Sequence, residues 1–177
     1  MPIWFVLLAG LASTGLEQAR VSPYPMSRDS IAGRLADLTR IHTPEGIEVT
    51  EPVEVNGSTQ WITIRGLNRA KPILLFVHGG PGSAMMGISW AFQKPWEDFF
   101  TVVNWDQRGV GKNFSAADTA RLGPTMTDEQ HVRDAEVIVR HVLKRLSHDK
   151  LIVMGYSWGT AFTPTGDAAL SAKVLSI

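Results

Sequence analysis

The sequence predicts an α/β protein with a mostly parallel sheet and an antiparallel start, and three observations carry that expectation. Apolar runs at 73–77 (ILLFV), 101–105 (TVVNW) and 151–154 (LIVM) have the length and continuity of strands covered on both faces. Between the second and third runs, Val132, Ala135, Val139, Val142 and Leu146 recur at three- and four-residue spacing, as on one face of a helix. Ahead of all three, runs at 51–55 and 60–65 flank Asn56-Gly57-Ser58, and an Asn-Gly step favours a tight hairpin. Strands that alternate with helices build parallel sheets, whose working groups collect where the strands' carboxyl ends emerge.

Composition narrows the function classes. Seventeen basic residues balance seventeen acidic ones among 177, and no long run of one sign breaks the mixture. Such a chain lacks the electrostatic footprint that nucleic acid or an anionic lipid surface would require. There is no cysteine, so disulfides, thiolate metal sites and cysteine nucleophiles are excluded. No His/Asp/Glu group has the spacing of a zinc-binding helix, and neither a metal nor an organic cofactor is expected.

Taken in order, residues 1–28 are read as a signal-like apolar segment and linker, and residues 29–177 as the core domain. The opening MPIWFVLLAGLASTGL holds no charged side chain before Glu17. It falls short of the ~20 apolar residues of a stable membrane span, but it matches the apolar region of a signal peptide with Gly10 and Ala12 placed for cleavage. No Lys or Arg precedes it, so a buried N-terminal helix is the competing reading. The first places the protein in the periplasm or outside the cell, the second in the cytoplasm. Pro23 and Pro25 form the linker, after which Ser30 is placed to cap a short helix whose Ile31, Leu35, Leu38 and Ile41 share a packing face. The hairpin follows, then ILLFV ending in His78-Gly79-Gly80-Pro81-Gly82, then TVVNW ending in Asp106-Gln107-Arg108-Gly109. A capping box at Thr127-x-x-Gln130 starts the long helix, and LIVM leads into Gly155-Tyr156-Ser157-Trp158-Gly159.

That last pentapeptide is G-x-S-x-G directly after an apolar strand, the setting in which a strained strand-to-helix turn projects a serine hydroxyl above the sheet edge. Glycines after the earlier strand let a backbone turn inward with no Cβ in the way. Acyl transfer develops charge on a carbonyl oxygen, and two backbone N–H groups aimed at it form an oxyanion hole. One donor is expected at Trp158 and the other at Gly79 or Gly80.

HGGPG at 78–82, WDQRG at 105–109 and GYSWG at 155–159, in that order, resemble the α/β-hydrolase fold, and specifically its proline iminopeptidase (prolyl aminopeptidase) branch. The resemblance covers about Glu51 to Gly159. It implies a serine hydrolase that removes an N-terminal residue, often proline, from peptides, with a peptide or small amide or ester as substrate. Ser157 matches the nucleophile, while Gly79, Gly80 and the Trp158 amide match the oxyanion hole. Asp106 and Arg108 match a turn that supports the oxyanion loop, a structural rather than a catalytic part, and His78 stands beside that loop as a further supporting residue. A serine at the elbow argues against the dehalogenase and epoxide hydrolase branches, and leaves carboxylesterase or lipase activity open.

In this fold the acid and then the histidine of the triad follow the serine. After Ser157 the 177 residues hold one acid, Asp167, and no histidine. His148 stands before the nucleophile strand, on the order of 20 Å from Ser157. His78 is read as shaping its loop and His141 as lying away from the catalytic end; His131, whose helix should start at the serine's end of the sheet, is the only geometric candidate for the base, and is read in preference as a solvated first-turn residue. The tail TAFTPTGDAALSAKVLSI interrupts the expected helix at Pro164 and Gly166, allows a short helix from Asp167, and contains nothing read as a strand, which leaves 151–154 a bare edge. The chain is therefore expected to be the N-terminal portion of the fold, ending just after the nucleophile elbow, cut short or frameshifted near residue 162, without the cap region that in this family shapes the substrate pocket. On its own it is expected to be nearly inactive; the alternative is a non-catalytic remnant that serves as a binding or regulatory module.

Overall fold

A computed structural model describes residues 27–80, 82–115, 118–162 and 172–176. The signal-like segment and the helix expected from Asp167 lie outside them. Six strands, β1 (Ile47–Val55), β2 (Ser58–Gly66), β3 (Ile73–Val77), β4 (Thr101–Asp106), β5 (Leu151–Gly155) and β6 (Ala172–Ser176), form one sheet in the order β1-β2-β4-β3-β5-β6. β1 pairs antiparallel with β2, and β2 antiparallel with β4, while β3, β4, β5 and β6 run parallel. The mostly parallel sheet with an antiparallel start is thus the observed one. The sheet does not end at the elbow strand, however: β6 pairs with β5 along its length, from Leu151↔Ala172 to Gly155↔Ser176, so 151–154 is not a bare edge.

The hairpin turns on Asn56 (φ 47°) and Gly57 (φ 74°), with Val55 opposite Ser58. Positive φ at both central residues makes a two-residue loop whose twist matches the flanking strands. Pairing then continues in register to Ile47↔Gly66, so both strands are nine residues long and exceed the 51–55 and 60–65 runs.

One face of this sheet carries the core. Val53, Val55, Ile62, Ile64, Ile73, Leu75, Val77, Val103, Trp105, Leu151 and Val153 meet Ala135, Ile138, Val139 and Val142 of the long helix. The helices are α1 (Arg28–Thr39), the single turns α2 (Trp90–Gln93) and α3 (Thr119–Leu122), and α4 (Asp128–Leu146). The Thr127 hydroxyl accepts the Gln130 N–H at 3.2 Å, which is half of the capping box; the Gln130 side chain turns instead to Asp134. Ser147 in the left-handed region (φ 59°) ends the helix, and the His148 N–H closes on the Leu143 carbonyl. The buried stripe of α4 is His131, Asp134, Ala135, Ile138, Val139 and Val142, rotated from the expected one, with Val132 and Leu146 at its margins.

On the other face, α2 runs into a 3-10 turn, Lys94–Asp98, that sets Trp96 against Phe76 with ring centroids 6.1 Å apart. α1 departs from expectation. Its N-cap is Ser27, whose hydroxyl accepts the Ser30 N–H at 3.2 Å, and none of its residues is buried. The Ile31–Leu38 stripe meets too little protein to be covered, and Leu38 is 74% exposed. Leu38→Gln is therefore expected to change the unfolding free energy by less than ~0.5 kcal/mol in urea titration; a larger loss would mean that α1 packs in solution.

Candidate active site

β5 ends at Gly155, and the chain reverses into a 3-10 turn, Ser157–Phe162. Ser157 has φ 52°, a left-handed conformation that is disfavoured for a residue with a Cβ and persists only when its surroundings hold it. The surroundings are the flanking glycines. A Cβ on Gly155 would lie 2.8 Å from Thr160 Cα and 2.9 Å from the Gly159 carbonyl oxygen. One on Gly159 would press on the carbonyl oxygens of Val77 and His78, the latter at 2.6 Å. Spacing of two on each side of the serine is thus what lets the turn close against β3, and the Tyr156 N–H bonded to the Val77 carbonyl at 3.0 Å anchors it there.

Gly79 lies directly over this turn. A Cβ added to it would stand 2.7 Å from the Tyr156 carbonyl oxygen, 2.9 Å from Ser157 Cβ and 3.4 Å from Trp158 N. The structure therefore brings Gly79, Ser157 and the Trp158 amide together. Gly80 has φ 133°, and a Cβ added to it would stand 2.5 Å from Gly82 N and 2.8 Å from Ser83 N.

What holds Gly79 in place is a set of buried polar contacts. The His78 Nδ1–H donates to the Gly79 carbonyl at 2.9 Å, and Nε2 accepts the Gln107 N–H at 3.4 Å. The Gln107 side-chain amide donates back to the His78 carbonyl at 2.9 Å. Both imidazole nitrogens of His78 are thereby engaged in shaping the loop. Asp106, 2% exposed, accepts the Lys112 N–H at 2.9 Å and fixes the turn beyond β4, where only a glycine fits at 111. Arg108 forks onto Asp134 of α4 at 2.9 and 3.0 Å and also donates to the Val55 and Asn56 carbonyls. His78, Asp106 and Arg108 are thus all buried, beside the Gly79 loop and in the turn beyond β4.

Two residues that carry this arrangement had no role in the sequence reading. Gln107 sits inside WDQRG, and Asp134 is the acid on the core stripe of α4, a placement that in itself signals a buried partner. Asp134 is fully buried and accepts five hydrogen bonds, two from Arg108 and one each from Asn56, Gln60 and Gln130.

The remaining histidines are placed as follows. His141 contacts Glu51 at 3.3 Å, and His148 the Arg69 carbonyl at 3.1 Å, both away from the serine end. His42 is exposed. His131 is the correction: it is 3% exposed, not solvated, because its Nδ1–H donates to the Thr127 carbonyl at 2.8 Å and its ring meets Trp158 edge-on at 5.3 Å. Hollows of about 230 and 680 Å³ lie among residues of α1, β1, β2 and the 86–98 segment, and one of about 520 Å³ lies between β1, β2, the 84–87 segment and the turn of Asp106, Gly111 and Lys112; Ser157 lines none of these. Among the described residues no group of His, Asp or Glu could hold a metal ion, and no helix is long and apolar enough to cross a membrane.

Burial pushes the His78 imidazolium below its ordinary pKa, against the opposing pull of the Gly79 carbonyl and the Asp106 carboxylate. Burial raises the Asp106 carboxyl, opposed by the Lys112 N–H. For Asp134 burial again pushes upward, but its hydrogen bonds from Arg108, Asn56, Gln130 and Gln60 prevail and the carboxyl ends low. Because folded His78 resists protonation, the unfolded chain takes up the extra proton as pH falls below about 6.5, and stability falls with it. Asp134 acts in the same sense only below about 3.9, and Asp106 in the opposite sense above it. Urea midpoints at about pH 7.5 and 5.5 are expected to differ, and His78→Gln is expected to narrow that difference. An unchanged difference would show that His78 titrates alike in both states.

A strand-to-turn serine in a left-handed conformation, at the carboxyl edge of a sheet with an antiparallel start, defines a class. The chain belongs to the alpha/beta hydrolase fold family, whose model matches residues 72–163, from β3 through the elbow. It is 34% identical over 116 residues to a probable aminopeptidase of Bacillus subtilis (strain 168), a match that covers 66% of this chain and 36% of the relative. It is 29% identical over 103 residues to a proline iminopeptidase of Lactobacillus helveticus, covering 58% of this chain and 33% of the relative. The chain spans about a third of the length of these curated relatives. Among solved structures, a proline iminopeptidase-related protein from Thermus thermophilus superposes with a TM-score of 0.53 at 22% identity, over 66% of this chain and 38% of that one. A bacterial membrane phospholipase A reaches the same TM-score at 17% identity, over 76% and 37%. These two likenesses are of fold alone.

Proposed function

We propose that these residues are the nucleophile-bearing part of a serine hydrolase of aminopeptidase type, which releases the N-terminal residue of a peptide. The observation that carries the reading is the left-handed Ser157, clamped between glycines with the Gly79 backbone over it. Strain of this kind has no structural use in a loop that could relax. In the reaction, Ser157 Oγ forms a bond to the scissile carbonyl carbon and gives its proton to a base. The carbonyl oxygen becomes an anion facing the N–H groups of Trp158 and of Gly79 or Gly80, and the C–N bond then breaks as the leaving amine takes the proton. The aminopeptidase part rests on the relatives' names, and Ser157 in place of an acid favours acyl transfer over epoxide or halide chemistry. The base and the acid that orients it are not assigned among the described residues.

An activated ester separates the parts of the proposal. With p-nitrophenyl acetate, whose activated leaving group lets the Ser157 hydroxyl acylate slowly while solvent water or hydroxide takes its proton, the 177-residue chain is expected to release no more than one equivalent of p-nitrophenol per chain, to carry one acetyl group on Ser157, and not to turn over, because the less reactive acyl-serine is not hydrolysed without a base. A prolyl chromogenic amide, with its poorer leaving group, is expected to give no hydrolysis above background. Acetylation that persists in Ser157→Ala would remove the nucleophile assignment, and prolyl amide turnover lost in Ser157→Ala would show that the 177 residues hold a base. A binding or regulatory module is the second reading; acetylation confined to Ser157 counts against it.

A further inference from the structure

We propose that Asp134 is the positioning residue of the oxyanion hole, and that α4 grips both arms of that hole from adjacent turns of its buried face. The proposal rests on the nucleophile reading above and deepens it.

The first arm is the Gly79 loop. The Ser83 N–H that reaches the Gly79 carbonyl at 3.3 Å closes the loop on itself but does not press it on the elbow. The neighbouring His78 does so, locked by the reciprocal contacts with Gln107, and Gln107 is held by the turn it belongs to. That turn is pinned one residue further on, where the Arg108 fork meets Asp134. The fork is fully buried, with Arg108 2% and Asp134 0% exposed, so neither side chain can exchange its partner for water. Asp134 also receives Asn56 at 2.8 Å and Gln60 at 2.7 Å, and Gln60 Oε1 accepts the Trp105 indole N–H at 2.7 Å. The carboxylate therefore ties together the hairpin, the end of β4 and α4, and the oxyanion loop hangs from that tie by Arg108, Gln107 and His78 in sequence.

The second arm is Trp158, whose amide is the other expected donor. His131 lies three residues before Asp134 on α4, hence one turn away on the same face. Its ring lies edge-on to Trp158, oriented by the Thr127 carbonyl. One rigid helix thus fixes the separation between the two donors. An oxyanion hole works only if its donors stand ready for the charge, and a misplacement of about 1 Å can lower a rate about a hundredfold.

The test compares Asp134→Asn, which keeps the shape and loses the charge, with Arg108→Lys, which keeps the charge and loses the fork, and with Ile138→Val as a core control on the same helix. Two quantities are read in each folded variant: the ¹H and ¹⁵N ring signals of His78, which report its tautomer and its bonds to Gly79 and Gln107, and the rate constant of Ser157 acetylation. Asp134→Asn and Arg108→Lys are expected to shift or broaden the His78 signals and slow acetylation at least tenfold, with the ester concentration at half-saturation little changed. Ile138→Val is expected to leave both unchanged. If either variant folds with native His78 signals and a native acetylation rate, Asp134 is a structural anchor only and the proposal fails. Absence of acetylation in the unmodified chain would overturn the nucleophile reading instead, while the His78 signals still decide whether Asp134 sets the loop.

Discussion

Replacing Asp134 by Ala is expected to lower the unfolding free energy by about 3–5 kcal/mol, because it leaves the Arg108 guanidinium buried with no counter-charge. Three other donors, from Asn56, Gln60 and Gln130, lose the same acceptor, and the side chain is too enclosed for water to replace it. Against a typical domain stability of about 5–15 kcal/mol, such a loss leaves a large fraction of molecules unfolded at mild denaturant. Urea unfolding followed by tryptophan fluorescence measures it, and Trp105, joined to the network through Gln60, is a local reporter. A loss below ~1 kcal/mol would mean that Arg108 swings to solvent and that the buried pair contributes little. Asp134→Asn should fall well short of the alanine variant, since an amide still offers an acceptor to part of the network.

Gly79→Ala carries the second large effect, expected in the rate of Ser157 acetylation and less in stability. A methyl group there would meet the Tyr156 carbonyl and Ser157 Cβ at under 3 Å, and those atoms belong to the turn and cannot move aside. The loop must retreat and take its donor with it, and loss of one such donor slows acyl transfer about 10²- to 10³-fold. Gly33→Ala is the matching control, since nothing lies within 4 Å of a Cβ at that helical position; it should leave acetylation untouched. Equal rates for the two variants would show that the Gly79 loop plays no part in the reaction.

The parts of this molecule that the sequence discloses are those whose cause is local. Asn-Gly dictates the hairpin turn because two consecutive positive φ angles are needed, and G-x-S-x-G declares the elbow because both glycines touch backbone that a Cβ would displace. Ser157, Gly79 and Trp158 could therefore be placed from motifs alone. Gln107 and Asp134 could not, because their partners His78 and Arg108 lie 29 and 26 residues away, and periodicity carries no record of which loops meet. Asp134 falls beside the stripe expected from the sequence, and only the rotated stripe of the folded helix makes it a buried acid that calls for a buried base.

The misreadings have the same origin. The stripe Ile31, Leu35, Leu38 has helical spacing, and the helix is there, but spacing does not say whether a surface waits to cover it. β6 lies in a tail where Pro164 and Gly166 argue against a continued helix and only a short helix from Asp167 is expected, and the five residues AKVLS are too short to announce a strand without the neighbour that pairs with them. His131 was placed on water because first-turn residues commonly are, whereas the aromatic side chain that covers it comes from the elbow, 27 positions further along the chain.

The most direct test of the central claim is a crystal structure of the chain after reaction with a p-nitrophenyl alkylphosphonate, in which Ser157 Oγ bonds to phosphorus and p-nitrophenolate leaves. The account predicts one phosphoryl oxygen within about 3 Å of the Trp158 N–H and of the N–H of Gly79 or Gly80, with Ser157 still left-handed. A phosphoryl oxygen turned to solvent, or an adduct on any other residue, would contradict it.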